Sequence, residues 1–235
     1  MNRDRLDNIT VISFDGDATL WDFEKAMRDA LAQALDLLRS RLPGPATAAL
    51  TVDRMDEIRN RVAEELDVNA ATLEEIRYEA FVRTVAEAGS TSTELARELN
   101  SLYRKHRFGD IELYPDVIPA LDALASCYTL GLLSNGNTLP EYAGLGGWFA
   151  FVIFAQDVGV RKPDPGIFRL ACERAGCCPD ELLHVGDSLS SDVAGANGFG
   201  ATSVWLNRDG ALNDTDAVPD YEMQSLSDLT ALLGL

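Results

Sequence analysis

Asp15 and Asp17 stand one residue apart, directly after a run of strand-forming residues at 9–14. Side chains alternate faces along a strand, so residues i and i+2 point to the same side. Neighbouring carboxylates repel each other unless a cation lies nearby, and Mg²⁺ prefers one or two carboxylates together with water and phosphate oxygens. The pair therefore predicts a metal-assisted phosphate site, although a turn rich in Asp and Gly after a buried strand explains this segment alone equally well.

Ser134 and Asn135 follow a second predicted strand, at 129–133. Open α/β sheets bind ligands at the edge where their strands end. A hydroxyl and backbone N–H groups at a helix start suit phosphate oxygens, but a turn with an N-cap explains this segment as well.

Lys162 follows the strand predicted at 151–154 and precedes Pro163 and Pro165, which stiffen the chain and start a helix. A single lysine is most often solvated surface. A lysine held rigidly beside two acids instead balances their charge or grips a phosphate. The position of Lys162 after a strand favours this second role.

Asp187 lies at the tip of the strand predicted at 182–185, and Asp192 lies in the following loop or helix start. An N-cap is an alternative role for Asp192. Asp187 would bring a third carboxylate to the same rim. The order of these segments, each at a strand end, is more specific than any one of them.

The elements that must position these residues alternate along the chain. Strands at 9–14, 129–133, 151–154, 182–185 and 202–206 are followed by an edge segment near Tyr221, and helices are predicted around 138–146, 164–176, 190–198 and 227–233. Several strands are apolar almost throughout, as strands covered on both faces tend to be. The pattern predicts an α/β fold with a Rossmann-like parallel sheet core.

The region from about 22 to 110 contains no convincing strand, and its apolar residues fall at helical spacing. Four amphipathic stripes begin at Met27, Met55, Leu73 and Leu95, and Ser92 or Thr93 is a candidate N-cap for the fourth. We therefore expect a four-helix-type α domain at 21–110, inserted into an α/β catalytic core formed by 1–20 and 111–235.

The chain of 235 residues carries a formal net charge of −18 and has a pI near 4.4. This charge argues against a nucleic acid or an anionic membrane as the partner. The first residues are charged and lack a long apolar stretch, which predicts no signal peptide. No segment approaches the length of a membrane span.

The cysteines form no CxxC pair, and the histidines complete no zinc pattern. These residues are Cys127, Cys172, Cys177, Cys178, His106 and His184. We therefore expect reduced, mostly buried thiols and a cytoplasmic protein.

Together the segments resemble the haloacid dehalogenase (HAD) superfamily of hydrolases over essentially the whole chain. The matching motifs are Asp15-Gly-Asp-Ala-Thr19, Ser134, Lys162 within Arg-Lys-Pro-Asp-Pro, and Gly186-Asp-x₄-Asp192. The helical insert resembles the cap domain of the subgroup that includes phosphoglycolate phosphatase-like and nucleotidase-like enzymes. Gly16 stands where a bulkier apolar residue is usual, and Ala18 where Gly or Asp is usual. We expect Gly16 to enlarge the space beside the nucleophile.

The resemblance implies a role for each acid of the first motif. Asp15 would attack phosphorus and form an aspartyl-phosphate. Asp17 would protonate the leaving oxygen and then take a proton from the attacking water. Thr19 would orient the acids by hydrogen bonding.

The resemblance also implies Mg²⁺ as the cofactor, held by Asp15, the Asp17 main-chain carbonyl and Asp187. Ser134, the Asn135 backbone N–H and Lys162 would hold the transferring phosphoryl oxygens. Asp192 is either an outer metal contact or a partner of Lys162. The function implied is hydrolysis of a small phosphorylated metabolite, a phosphomonoester. We expect either a monomer or a homodimer.

The insert is expected to act as a lid that reads the substrate beyond its phosphate. Trp21 and Phe23 are candidates to line the hinge or the pocket mouth. Arg77, Tyr78 and Lys105 are candidate substrate contacts, although Arg77 or Tyr78 could be plain surface.

Three other functions remain open. A 2-haloacid dehalogenase uses a carboxylate to displace halide from carbon, and it requires neither a metal nor an acid for an alkoxide leaving group. The presence of Asp17 and Asp187 therefore favours a phosphatase. A phosphomutase and a non-catalytic phosphate-binding protein are the remaining alternatives.

Overall fold

The computed structural model describes residues 6–66 and 71–235. Within these residues six strands form one sheet in the order β3-β2-β1-β4-β5-β6, and neighbouring strands run parallel. The strands are β1 (Val11–Phe14), β2 (Thr129–Ser134), β3 (Phe151–Phe154), β4 (Leu182–Gly186), β5 (Thr202–Leu206) and β6 (Tyr221–Met223). The predicted α/β fold with a parallel sheet is confirmed.

The central strands are apolar because both faces of the sheet are covered. Every residue of β1, β4 and β5 is buried. From β1 the chain builds outward through β2 and β3 on one side, and through β4, β5 and β6 on the other. The order reverses beside β1, and such a switch point leaves a crevice at the carboxyl ends of the strands where ligands bind.

The chain divides into two compact units, one running up to Asp22 and resuming from Glu112, and the other formed by Phe23–Ile111. The second unit is helical and contains α1 (Phe23–Arg41), α2 (Pro45–Ala49), α3 (Val52–Glu65), α4 (Leu73–Glu87) and α5 (Thr93–Gly109). Helix α1 packs on α5, and α3 packs on α4. Side chains such as Leu38 and Leu99 are fully buried between them.

The helix caps of this unit follow from its sequence. The Ser92 hydroxyl accepts from the Leu95 N–H, so Ser92 rather than Thr93 is the N-cap of α5. Thr72 and Glu75 form a reciprocal capping box at the start of α4. The short α2 was not predicted; Pro45 occupies its first turn, where the missing N–H costs nothing.

The other unit contains α6 (Val117–Ala125), α7 (Ala155–Val158), α8 (Pro165–Ala175), α9 (Ala194–Phe199) and α10 (Leu226–Leu232). The helix predicted at 138–146 is wrong: only a 3₁₀ turn forms, at Pro140–Ala143. Gly144 then adopts a left-handed φ of 73°, which ends the helical path. The helix predicted at 190–198 is a π-helical turn, Leu189–Val193, that continues into α9.

The prediction of mostly buried thiols is also wrong. Cys172 is buried, whereas Cys177 is half-buried and Cys127 and Cys178 are exposed. Among the described residues, no helix combines the length and the apolar character needed to cross a bilayer.

Candidate active site

The first predicted site residues lie at the carboxyl ends of adjacent strands. Asp15 directly follows β1, whose Phe14 is in register with Leu132 of β2 and Val185 of β4. The Asp15 N–H donates to the Val185 carbonyl at 2.8 Å, so the backbone is held where it leaves the sheet. Ser134 ends β2 on one side of Asp15. Asp187 follows β4 on the other side.

These strand ends border a cavity of about 150 Å³. Drug-sized ligands occupy pockets of about 300–1,000 Å³, so this volume suits a small polar group. Apart from Gly136, the residues that line it all have polar side chains: Asp15, Asp17, Ser134, Asn135, Gly136, Lys162, Ser188, Ser191 and Asp192. Ser188 and Ser191 were not predicted, although two hydroxyls just after the tip of β4 were a visible signal.

Lys162 is buried at the centre of this arrangement, with 2% of its side chain exposed. Its ammonium nitrogen lies 2.6 Å from Asp15 Oδ1 and donates to the Leu133 carbonyl at 2.8 Å. Asn135 holds the backbone of Lys162 from both sides. Its Nδ2 donates to the Lys162 carbonyl, and its Oδ1 accepts from the Lys162 N–H, both at 2.9 Å. Only the backbone N–H of Asn135 was predicted to take part in the site, and this side-chain role was not predicted.

Three carboxylates converge on the same point. One oxygen from each of Asp15, Asp187 and Asp192 lies within 4.8 Å of the other two. When all three carboxylates are ionised, they and the Lys162 ammonium together carry three negative charges and one positive charge. The remaining two negative charges and the all-oxygen donor set fit a divalent cation such as Mg²⁺.

The pKa values reflect this crowding. Burial raises the pKa of Asp187 to about 6, and the charge of Asp192 adds to the effect. Burial also raises the pKa of Asp15 well above its usual range, although Lys162 opposes this. For Asp192, burial is outweighed by the charge of Lys162 and the hydrogen bond from His184, so its pKa is lowered. Asp192 is therefore the carboxylate that Lys162 holds ionised.

A buried polar chain supports Asp192 from behind. Its Oδ1 lies 2.6 Å from Lys162 Nζ and 3.0 Å from His184 Nε2, and His184 Nδ1 lies 2.8 Å from the Ser13 hydroxyl. The Ser188 N–H donates to Asp192 Oδ2 at 3.0 Å. His184 was not predicted as a site residue, although a histidine within the apolar strand β4 was a possible signal.

Asp17 is held by two donors on one oxygen. The indole Nε1 of Trp21 donates to Asp17 Oδ1 at 2.6 Å, and the Thr138 hydroxyl donates to the same oxygen at 3.2 Å. Trp21 is fully buried and therefore does not line a pocket mouth. The extra space expected at Gly16 is filled, because a Cβ there would lie 2.5 Å from the Trp21 ring. Thr19 donates to Asp187 Oδ1 at 3.4 Å.

The candidate contacts in the helical unit have different environments. The Arg77 guanidinium lies 5.6 Å from the ring centroid of Tyr103 and 5.5 Å from that of Phe108, so it packs on aromatic rings. Tyr78 is half-buried against the core of the unit. Lys105 is exposed. Arg77 is thus a packing residue within this unit.

A model of the haloacid dehalogenase-like hydrolase family matches residues 9–200. The chain belongs to this family of hydrolases, as the motifs at the strand ends predicted.

Two relatives of this chain are phosphatases. The glyceraldehyde 3-phosphate phosphatase of Methanopyrus kandleri is 28% identical over 225 residues, which cover 92% of this chain and 93% of that protein. The phosphoserine phosphatase of Thermus thermophilus is 34% identical over 173 residues, which cover 70% of this chain and 68% of that protein. These relatives support a phosphatase of a small phosphate ester.

A similar solved structure is that of a 2-haloacid dehalogenase from Pseudomonas syringae pv. Tomato. It has a TM-score of 0.79 and 34% sequence identity, with 96% of this chain and 98% of that chain covered. Proteins similar to this chain thus include both phosphatases and a 2-haloacid dehalogenase.

Proposed function

We propose that the protein is a Mg²⁺-dependent phosphatase that hydrolyses a small phosphomonoester through an aspartyl-phosphate on Asp15. The observation that supports this most directly is that Asp15, Asp17 and Lys162 line the same small cavity. A phosphate ester needs a nucleophile, an acid for its leaving oxygen and a cation for its phosphoryl oxygens. The three side chains supply these groups.

In the first half-reaction a carboxylate oxygen of Asp15 forms a bond to phosphorus as the bond to the ester oxygen breaks. Asp17 donates its proton to the departing oxygen, so the product leaves as an alcohol. Lys162 and the Ser134 hydroxyl stabilise the equatorial phosphoryl oxygens. Because Lys162 is already fixed by Asp192 and by the Leu133 carbonyl, little reorganisation accompanies the reaction.

In the second half-reaction a water molecule attacks the phosphorus of the aspartyl-phosphate. Asp17, now ionised, takes a proton from this water, and the bond between phosphorus and the Asp15 oxygen breaks. Inorganic phosphate is released, and Asp15 returns to its carboxylate form.

Asp15, Asp187 and Asp192, together with the Asp17 main-chain carbonyl, are the groups we assign to Mg²⁺. A bound divalent cation would neutralise charge between nucleophile and phosphate. Thr19 orients Asp187 for this role. Asp192 has two tasks in this assignment, because its Oδ1 also pairs with Lys162.

We assign to the helical unit Phe23–Ile111 the role of a lid that reads the substrate beyond its phosphate. The cavity beside Asp15 has room for a small group alone, so the rest of a metabolite must be recognised elsewhere.

A 2-haloacid dehalogenase is the second candidate, because the 2-haloacid dehalogenase of Pseudomonas syringae is 34% identical to this chain. The position of Asp17 favours the phosphatase. Halide leaves carbon as an anion without a proton, so a dehalogenase gains nothing from an acid held by Trp21 and Thr138.

The test measures phosphate release from p-nitrophenyl phosphate and chloride release from 2-chloropropionate, each with Mg²⁺ and with excess EDTA. We expect phosphate release only with Mg²⁺, and inhibition by Ca²⁺, whose larger coordination sphere is looser. Asp15→Asn should abolish activity, and Asp122→Asn, which alters an exposed acid on α6, should leave it intact. Chloride release would support the dehalogenase, and full phosphatase activity in EDTA would contradict the metal assignment.

A further inference from the structure

Trp21 is fully buried, and its indole nitrogen lies 2.6 Å from Asp17 Oδ1. Its backbone is fixed on two sides. The Ala18 N–H donates to the Trp21 carbonyl at 2.9 Å, and Trp21 forms an antiparallel bridge with Leu113. The indole therefore cannot shift without disturbing the loop that follows Asp15.

Gly16 makes the position of the indole possible. A Cβ on residue 16 would lie 2.5 Å from Trp21 Cζ2 and 2.8 Å from Cη2, closer than van der Waals contact allows. The ring fills the volume that a side chain at residue 16 would otherwise occupy. Gly16 and Trp21 thus form a matched pair beside the nucleophile.

The two oxygens of Asp17 have different surroundings. Oδ1 accepts from both the Trp21 indole and the Thr138 hydroxyl. These two hydrogen bonds fix the rotation of the carboxyl group, because Oδ1 must face both donors. Oδ2 lies next to Gly136, where a Cβ would be only 2.4 Å away. The absence of a side chain at Gly136 is what lets Oδ2 reach that side of the cavity.

We propose that Trp21 is a positioning residue that orients Asp17, so that Oδ2 is the oxygen that gives and takes the proton during catalysis. This inference rests on the proposed phosphatase function. Gly16 makes room for the indole, and Thr138 supplies the second donor. If the Trp21 ring only filled the core, its replacement would not affect the step in which Asp17 transfers a proton.

The kinetic test compares two phosphate esters whose leaving groups differ in their need for a proton. Trp21→Phe keeps a buried ring but removes the N–H. Its kcat/KM for an alkyl phosphate such as glycerol phosphate should fall about tenfold further than that for p-nitrophenyl phosphate, a fraction of the roughly 10²–10⁴-fold contribution of a general acid. The ratio of the two values is independent of the fraction of protein that folds.

Two further variants test the geometry around the indole. Thr138→Val removes the second donor with almost no change in shape, and Gly16→Ala keeps the indole but displaces its ring. Both should change the ratio in the same direction as Trp21→Phe. Trp148→Phe is the matched control, because Trp148 is a half-buried tryptophan in another loop of the same unit and should leave the ratio unchanged.

An NMR measurement, which requires no catalysis, tests the contact between Trp21 and Asp17 separately from the proposed function. The chain has three tryptophans, so its ¹H–¹⁵N spectrum should contain three indole signals. A short hydrogen bond to a carboxylate should move the Trp21 signal downfield, and Asp17→Ala should move it back. Unchanged indole shifts in Asp17→Ala would overturn the contact itself. An equal loss of kcat/KM for both esters in Trp21→Phe would overturn the positioning role, and a wild-type protein that hydrolyses neither ester would overturn the proposed function with it.

Discussion

Lys162 Nζ lies 2.6 Å from Asp192 Oδ1, and only 2% of each side chain is exposed. Asp15 lies at the same distance from this ammonium group, so one lysine is shared by two buried acids. The charges of these acids raise the pKa of Lys162 against the opposing effect of its burial, so it stays protonated. The pair places a permanent positive charge beside the proposed nucleophile.

Lys162→Ala should therefore lower both stability and activity. Removing one partner of a buried ion pair costs about 3–5 kcal/mol, and loss of a preorganised electrostatic group costs about 10²–10³-fold in kcat. Urea unfolding and assays with p-nitrophenyl phosphate measure the two effects. Lys25→Ala is the control, because Lys25 pairs with Asp29 on an exposed helix face and such pairs contribute about 0.3–0.5 kcal/mol. A near-normal kcat for Lys162→Ala would show that the lysine has no catalytic role.

Asp15→Asn and Asp17→Asn should fail in different ways. Without the Asp15 carboxylate no phospho-enzyme can form with any substrate. Asp17→Asn keeps the nucleophile, so p-nitrophenyl phosphate should give a brief burst of product and a trapped aspartyl-phosphate, whereas an alkyl phosphate should hardly react. Rapid-quench kinetics and intact-protein mass spectrometry distinguish these outcomes. Equal inactivity towards both esters with no burst would mean that the two acids share one role.

Ala18→Gly should stabilise the protein. Ala18 has a φ of 62°, in the left-handed region, which costs a residue with a Cβ about 1–2 kcal/mol. Glycine removes this strain but loses about 0.5–1 kcal/mol through its larger freedom in the unfolded chain, so we expect a net gain of about 0.5–1 kcal/mol in the free energy of unfolding. Ala123→Gly in α6 should instead lose about 1 kcal/mol, because that residue is helical. Equal losses in both variants would contradict the strain at Ala18.

Cys172 should resist thiol reagents while the protein is folded. Burial raises the pKa of its thiol from 9.0 to about 12, and a hydrogen bond with Cys177 adds to the shift. Because the folded state holds the proton more tightly than the unfolded state, the stability contributed by Cys172 falls as the pH rises from 9.0 to about 12. Iodoacetamide labelling near pH 8, with peptide mapping, should modify the exposed Cys178 rapidly and Cys172 only in denaturant. Labelling of both at one rate in the folded protein would contradict this environment.

The sequence predicted most strands and helices correctly, because local patterns of apolar residues determine where these elements form. The alternation of apolar strands with helices indicated the parallel sheet, because strands buried on both faces leave a recognisable run of apolar residues. The helix predicted at 138–146 failed for a local reason as well. Gly144 follows the 3₁₀ turn at Pro140–Ala143, and its left-handed φ of 73° turns the chain out of the helix.

The spacing of Asp15 and Asp17 and the placement of Lys162 after a strand were also visible in the sequence. Sequential spacing decides which residues leave a strand together, and parallel strands end at the same edge of a sheet. The sequence thus determined which side chains reach that edge of the sheet. Among them are Asp15, Asp17 and Lys162, which line the cavity there.

Only the tertiary structure decided how these groups are held. The hydrogen bonds from Ser13 to His184, from Asn135 to Lys162 and from Thr138 to Asp17 join residues 171, 27 and 121 positions apart. Trp21 fills the space beside Gly16 because of the path that the loop between them takes. The spacing of residues along the sequence does not predict such a path. Such contacts arise when separately formed elements pack, because distance in space, not spacing along the chain, decides which polar atoms meet.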